Sequence, residues 1–269
     1  KSDTTLEHGS GCDRGHVASG GRFRTGISHG MDGNERSIVR GMPRRQSPGA
    51  RPSNPMRPTR FMLNDRPLLI ASENEETSRL ATSLDAEFVS LPNLTRPETF
   101  EAWRAKTLKG DVRERVIVSV WPPPSEARDL VELDANAWAK RFEQPYLLWN
   151  FVLGAAAKRV ADGGRVVAVC QAPAALDAPG LTPELAIADG VLALVRSIAA
   201  AEGSRGVRAN LVTTPIGLVE GDLVAPPPPL EGFPGTIETH VVGAVRTFLS
   251  ADTEGLTGRV LSADGGRTL

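Results

Sequence analysis

The chain has 269 residues, 40% of them hydrophobic, with 31 Lys and Arg against 32 Asp and Glu for a formal net charge of -1. That length and apolar share allow a sizeable buried core, and the balanced charge leaves no electrostatic footprint for nucleic acid or an anionic membrane. Two distant cysteines, Cys12 and Cys170, make no disulfide framework, and no run approaches the roughly 18 apolar residues of a membrane span, so a cytoplasmic protein with Cys170 as a small buried residue is expected.

Residues 1–61 carry Gly, Arg, Ser, Pro and His without period, as in RGMPRRQSPGARPSNPMRPTR. Such a segment buries too little apolar surface to offset an ordering entropy of about 1–2 kcal/mol per residue, so a disordered low-complexity tail is expected. All four methionines fall at or before Met62. Met62 therefore reads as a natural initiator and the tail as an extension that is not native; an arginine-rich arm or a targeting segment is the other reading. Asp3, Glu7, Asp13, Asp32 and Glu35 argue against a transit peptide. His8, Cys12 and His16 lack a second ligand pair in register, so no metal site is expected.

From residue 62 onward apolar strands alternate with helices. RPLLIAS is a short strand, and EETSRLATSL (75–84) a helix with Thr77, Leu80 and Leu84 on one face. AEFVSL is a second strand, and RPETFEAWRAKTL an amphipathic helix with Pro97 in its first turn. RVIVSVW (115–121) is a third strand, stopped by Pro122, Pro123 and Pro124. Between about Ser125 and Asp162 the sequence predicts two helices broken near Pro145, with Gly163 and Gly164 as the stop. RVVAVC is a fourth strand, LAIADGVLALVRSIAAAEG a helix, VRANLVTT a fifth strand, ETHVVGAVRTFLS a helix, and GRVLSADGG a last strand and turn. Strands that are apolar throughout and separated by helices imply a parallel sheet covered on both faces, a doubly wound, Rossmann-like α/β fold.

Four stretches carry a resemblance: Trp138, GGRVVAVC, ALVRSIAAAEGSRGVRANLVTTP and FLSADTEGLTGRVLSADGG. In this order and spacing, residues 62–269 resemble the short-chain dehydrogenase/reductase family, as a degenerate member. In that family a serine ends the fourth of these strands, and a tyrosine and a lysine follow one turn apart on the next helix. Counting from the strand places Gln171, Glu184 and Ala188 at those positions, and counting back from Arg196 gives the same Glu184 and Ala188. Tyr146, the only tyrosine, lies on another helix. The family chemistry needs a phenol to protonate a carbonyl oxygen and an ammonium to lower its pKa; neither stands here, so no catalytic residue is assigned. The asparagine of the long helix falls at about Pro145, or at Asn150 if the register slips.

The resemblance also places the glycine-rich cofactor turn on Ser72, Glu76 and Ser78, within LIASENEETSRLAT. Glycines there let the backbone approach a pyrophosphate that sits on the helix N-terminus. Glu73, Glu75 and Glu76 would instead repel it by roughly 3 kcal/mol per like-charge pair at an effective dielectric near 20, against about 8 kcal/mol for a micromolar ligand. No cofactor is expected on this reading. The first and third strands also lie closer in sequence than in the family, which implies deletion of the strand–helix unit that flanks the adenine. VEGDLVAPPPPLEGFPG stands where the family has its substrate loop and suits a rigid connector.

Three functional readings follow. The first is a non-catalytic structural or regulatory subunit that pairs with an active paralogue through the helices around 137–162 and 183–202, with no nucleic acid or membrane partner. The second is a divergent NAD(P)-dependent oxidoreductase whose residues lie in another register. The third reuses the cleft, with Glu184 as acid or base beside Gln171. Against the third, a lone glutamate on a helix is expected to be solvated, Glu184 and Asp189 lie near a helix start where a carboxylate needs no catalytic explanation, and His240 is expected to be a surface histidine rather than a base.

Overall fold

Strand β1 (Leu68–Ala71) is apolar and buried at all four positions, as a central strand covered on both faces requires. Its sheet continues through β2 (Glu87–Ser90), β3 (Arg113–Ser119), β4 (Val160–Gln171), β5 (Arg208–Thr214) and β6 (Val260–Ser262). All pairings are parallel, in the order β2-β1-β3-β4-β5-β6. The computed structural model describes residues 66–92, 97–174, 179–219 and 235–267. The N-terminal tail, its His/Cys spacing and nearly all of the proline-rich stretch after Val219 lie outside the described residues.

The first half of a doubly wound sheet has three strands, ordered 3-2-1 outward to inward. Here it has two: from the edge strand β2 the chain returns through helix α2 (Pro97–Leu108) to β3, beside β1. The fold is shortened by one strand–helix unit, as the sequence spacing implies.

Helices cover both faces. On one side Trp149, Val152, Leu153 and Ala156 of α4 (Gln144–Arg159) and Ile187, Ala188, Val191 and Val195 of α5 (Thr182–Ala201) pack on Leu68, Val116, Val166 and Leu211. Short helix α3 (Ala135–Trp138) leads into that layer. On the other side Leu80 of α1 (Glu75–Ser83) and Val241, Val245 and Phe248, from a π turn and α6 (Val242–Leu249), pack on Leu69, Ile117, Val167 and Val212.

Three sequence-based expectations about the long helix differ from the structure. Residues 125–134 form no regular helix beyond a 3-10 turn at Leu130–Glu132, and Pro145 does not break the helix. A π turn, Ala139–Glu143, runs directly into α4, with the Gln144 N–H bonded to Ala139 O. Pro145 falls in the first turn of α4, at the wider π register, where its missing N–H is tolerated. Nor do Gly163 and Gly164 stop the helix. It ends at Arg159, and both glycines lie inside β4, where the register shifts opposite Arg113 and Arg115. Gly163 has φ +75, and a Cβ on Gly164 would lie 2.7 Å from Glu114 O, so this bulge requires both.

Candidate functional site

In a doubly wound sheet a ligand sits at the carboxyl ends of the strands, where the strand order reverses. In this chain that point lies between β1 and β3. The residues there are bonded to each other. After β1, Asn74 caps α1 with a reciprocal capping box: the Thr77 N–H donates to Asn74 Oδ1 (2.9 Å) and the Asn74 N–H to Thr77 Oγ1 (3.3 Å). Two donors of the helix N-terminus are thereby taken. Glu73 and Glu75 are exposed, Glu75 pairing with Arg79 one turn on, and Glu76 is half-buried.

After β3, Trp121 turns back over the crevice and is 5% exposed, packed in the apolar cluster of the α1/α6 face. Its N–H donates to Ser72 Oγ (2.9 Å), and its carbonyl accepts from Asn74 Nδ2 (3.3 Å). Ser72 and Thr77 are also joined, Thr77 Oγ1 donating to Ser72 O at 2.5 Å. Ser78 bonds back to Asn74 O. The loop after β5 closes the same space. Gly217 has φ +65, and a Cβ there would lie 3.1 Å from Trp121 Nε1, 3.3 Å from Gln171 Nε2 and 3.7 Å from Glu76 Oε1.

The positions Ser72, Glu76 and Ser78 thus do surround the switch point, but the Ser72 and Ser78 hydroxyls are spent on Trp121 and on the helix cap, and Glu76 adds a half-buried carboxylate. A diphosphate needs free N–H groups at the first turn of α1 and open space over β1 and β3. The residues present do not fit a dinucleotide held in that way.

Beside the crevice lies a small open pocket lined by Val120, Pro145, Trp149, Gln171, Glu184 and Ile187 among others. The structure brings Gln171 and Glu184 to this one pocket. Gln171 ends β4 and is buried, its Nε2 donating to Gly217 O (2.5 Å) and Ile216 O (3.3 Å). Ala188, one turn beyond Glu184, is packed into the core of the α4/α5 face.

Glu184 corrects the sequence reading of a solvated helix glutamate. Its side chain is 7% exposed, and it accepts from Arg141 Nε at 2.8 Å and Nη2 at 2.7 Å, a two-point pair. Arg141 projects from the π turn and also donates to Glu126 O (3.2 Å) and Gly180 O (3.3 Å). Both oxygens of Glu184 are engaged, which leaves it poorly placed to exchange a proton with a ligand. Asp189 is exposed and His240 half-buried, its Nδ1 2.8 Å from Thr239 Oγ1. Pro145 lines the pocket, whereas Asn150 is exposed and bonded to Tyr146 O. Tyr146 packs against α5, where a Cβ on Gly190 would lie 2.5 Å from its ring.

Sequence reasoning missed Asn74, Trp121 and Arg141. The Asn-x-x-Thr spacing of the cap is readable locally, whereas Arg141 meets Glu184 across 43 residues of chain and has no local signal. Among the described residues no group of three or more His, Cys, Asp or Glu side chains could hold a metal. No described helix is long and apolar enough to cross a membrane.

No protein-family model matches the chain, and no curated protein matches it in sequence. Solved structures do. A short-chain dehydrogenase/reductase from Serratia marcescens is similar at TM-score 0.53 and 14% identity, over 76% of this chain and 98% of that one. A short-chain dehydrogenase family protein from Francisella tularensis gives 0.56 and 10%, over 76% and 98%. A blue fluorescent protein from a metagenomic library, solved in complex with NADPH, gives 0.55 and 18%, over 77% and 99%. At these identities the likeness is one of fold. The chain has a short-chain dehydrogenase/reductase-like fold, the α/β fold on which NAD(P)-binding oxidoreductases of that family are built.

Proposed function

We propose that the chain is a non-catalytic protein of this fold, a structural or regulatory subunit that pairs with a catalytically complete paralogue. One observation carries the reading: Trp121, Ser72, Asn74 and Thr77 are bonded to one another across the crevice between β1 and β3. The occupants of the family's serine, tyrosine and lysine positions support it, since Gln171 is tied to the loop at 216–217, Glu184 to Arg141, and Ala188 is core. Pairing would run through the helices around 137–162 and 183–202. Their outer faces expose Leu147 and Leu185 to 48% and 37%, and Gly154 leaves open space for a close approach. A cytoplasmic setting belongs to the same reading.

The test is a titration of the purified protein with NADH and NADPH, followed by nucleotide fluorescence and melting temperature. No saturable binding is expected. Binding tighter than about 100 μM would sink the reading and favour a divergent NAD(P)-dependent oxidoreductase. Co-purification with a complete paralogue tests the pairing, and a monodisperse monomer that captures none would count against it.

A further inference from the structure

The pocket beside the crevice has an inner wall that is apolar and closed. Val120, Trp149, Ile187 and Leu218 are each 5% exposed or less, while Pro123, at the rim, is exposed. Apolar walls with a few placed polar groups are what a small-molecule site presents.

Two polar side chains reach the inner wall, and one of them has a group to spare. Glu184 gives both oxygens to Arg141, so its negative charge is matched. Gln171 is fixed through its amide nitrogen, which donates to Ile216 O and Gly217 O and thereby turns the amide oxygen to the other side. Among the described residues Gln171 Oε1 accepts from no donor, and it is not sealed in the core. A side chain 6% exposed that lines a pocket with an unused acceptor is matched by a donor from outside the chain, because an unpaired polar group in an apolar setting is costly. A carbonyl compound would bring only a second acceptor. A cation would meet a carboxylate already paired, in walls that are otherwise apolar. A neutral hydroxyl satisfies Oε1 without bringing a charge.

We propose that the pocket takes the hydroxyl end of a small, neutral, largely apolar alcohol, the hydroxyl donating to Gln171 Oε1 and the carbon stem lying against Trp149, Ile187 and Leu218. The site needs no cofactor and is independent of whether a nucleotide binds at the switch point.

The full chain would be titrated with phenethyl alcohol, with its methyl ether and with phenethylammonium, followed by NMR of the Gln171 side-chain amide and by melting temperature. Saturable binding of the alcohol with a Kd of about 1 mM or tighter is expected. It should exceed the binding of either analogue by about tenfold, the worth of one net hydrogen bond. Gln171→Met keeps the length of the side chain and removes the acceptor, so the alcohol should fall to the level of the ether. That variant also frees the loop at 216–217; if it does not fold, the comparison of the three ligands on the wild-type chain decides alone. No saturation by the alcohol up to about 10 mM, a preference over the ether or the ammonium below about threefold, or an undiminished preference in Gln171→Met overturns the proposal.

Discussion

Replacing Glu184 by glutamine tests whether this position serves structure rather than chemistry. The pair it forms with Arg141 is two-point, at 2.8 and 2.7 Å, between side chains exposed to 7% and 13%. The amide keeps the size, loses the charge and turns one acceptor into a donor that faces a donor. Removing one partner of a buried ion pair costs about 3–5 kcal/mol, because the other charge is left buried. Arg141 keeps two carbonyls, Glu126 O and Gly180 O, which puts the expected loss near the lower figure, about 3 kcal/mol. For a domain of roughly 200 residues, at about 2–4 °C per kcal/mol, the melting temperature should fall by about 6–12 °C. Urea unfolding of wild type, Glu184→Gln, Glu184→Leu, Arg141→Met and the double variant Glu184→Leu/Arg141→Met measures it. The double variant should be more stable than either single one, since an apolar pair of similar volume often replaces a buried ion pair without loss. A cost below about 1 kcal/mol for Glu184→Gln, typical of exposed pairs, or simple additivity in the cycle, would refute the reasoning.

Trp121→Ala should cost about 3–5 kcal/mol in denaturant unfolding, as for a buried aromatic, and should not by itself create NADH binding. Asn74→Ala should cost about 1–2 kcal/mol through loss of the cap and of the bond to Trp121 O, read by the same unfolding curves. Burial pushes the Cys170 thiol up to about 12 from 9.0, so in a Cys12→Ser background it should resist a thiol reagent at pH 8 until the protein unfolds. The folded state keeps a proton that the unfolded state releases above pH 9.0. This contribution to stability is complete below that pH and is lost as pH rises towards 12. Between pH 8 and pH 10 the urea midpoint of Cys170→Ala should therefore fall less than that of the protein with the thiol; equal falls would count against the shift.

The fold was legible because parallel strands buried on both faces leave unbroken apolar runs. LLIA, RVIVS and RVVAVC each became a strand of the sheet, and the short interval between the first and third matched a missing outer strand. Breaker signals were less reliable. Pro145 signals a helix break in sequence, yet a π turn just before it absorbs the missing donor. Gly163 and Gly164 look like a helix stop, yet they serve a strand bulge. At the site, Gln171 and Glu184 line one pocket, and the sequence could not show what holds them. The partner of Glu184 is fixed by how the π turn packs on α5, and that of Gln171 by a loop 45 residues away. Such pairings are set by tertiary geometry and leave no local pattern.

The closure of the crevice also bears on how firmly a failed NADH titration can be read. Freeing the switch point requires displacing Trp121, at about 3–5 kcal/mol, and releasing the Asn74 cap, at about 1 kcal/mol. The two share the Asn74–Trp121 bond, so neither opens the site alone. Without Trp121 the Thr77 N–H stays bonded to Asn74, and without Asn74 the indole still covers the strands. An intrinsic micromolar site, worth about 8 kcal/mol, would be left with about 2–4 kcal/mol after both changes, which is millimolar or weaker. That residual falls well short of about 100 μM, the affinity at which the titration separates the two readings. Repulsion from Glu73, Glu75 and Glu76 lowers it further. A nucleotide bound more tightly than that would have to sit away from the switch point, and Trp121→Ala would then leave its affinity unchanged.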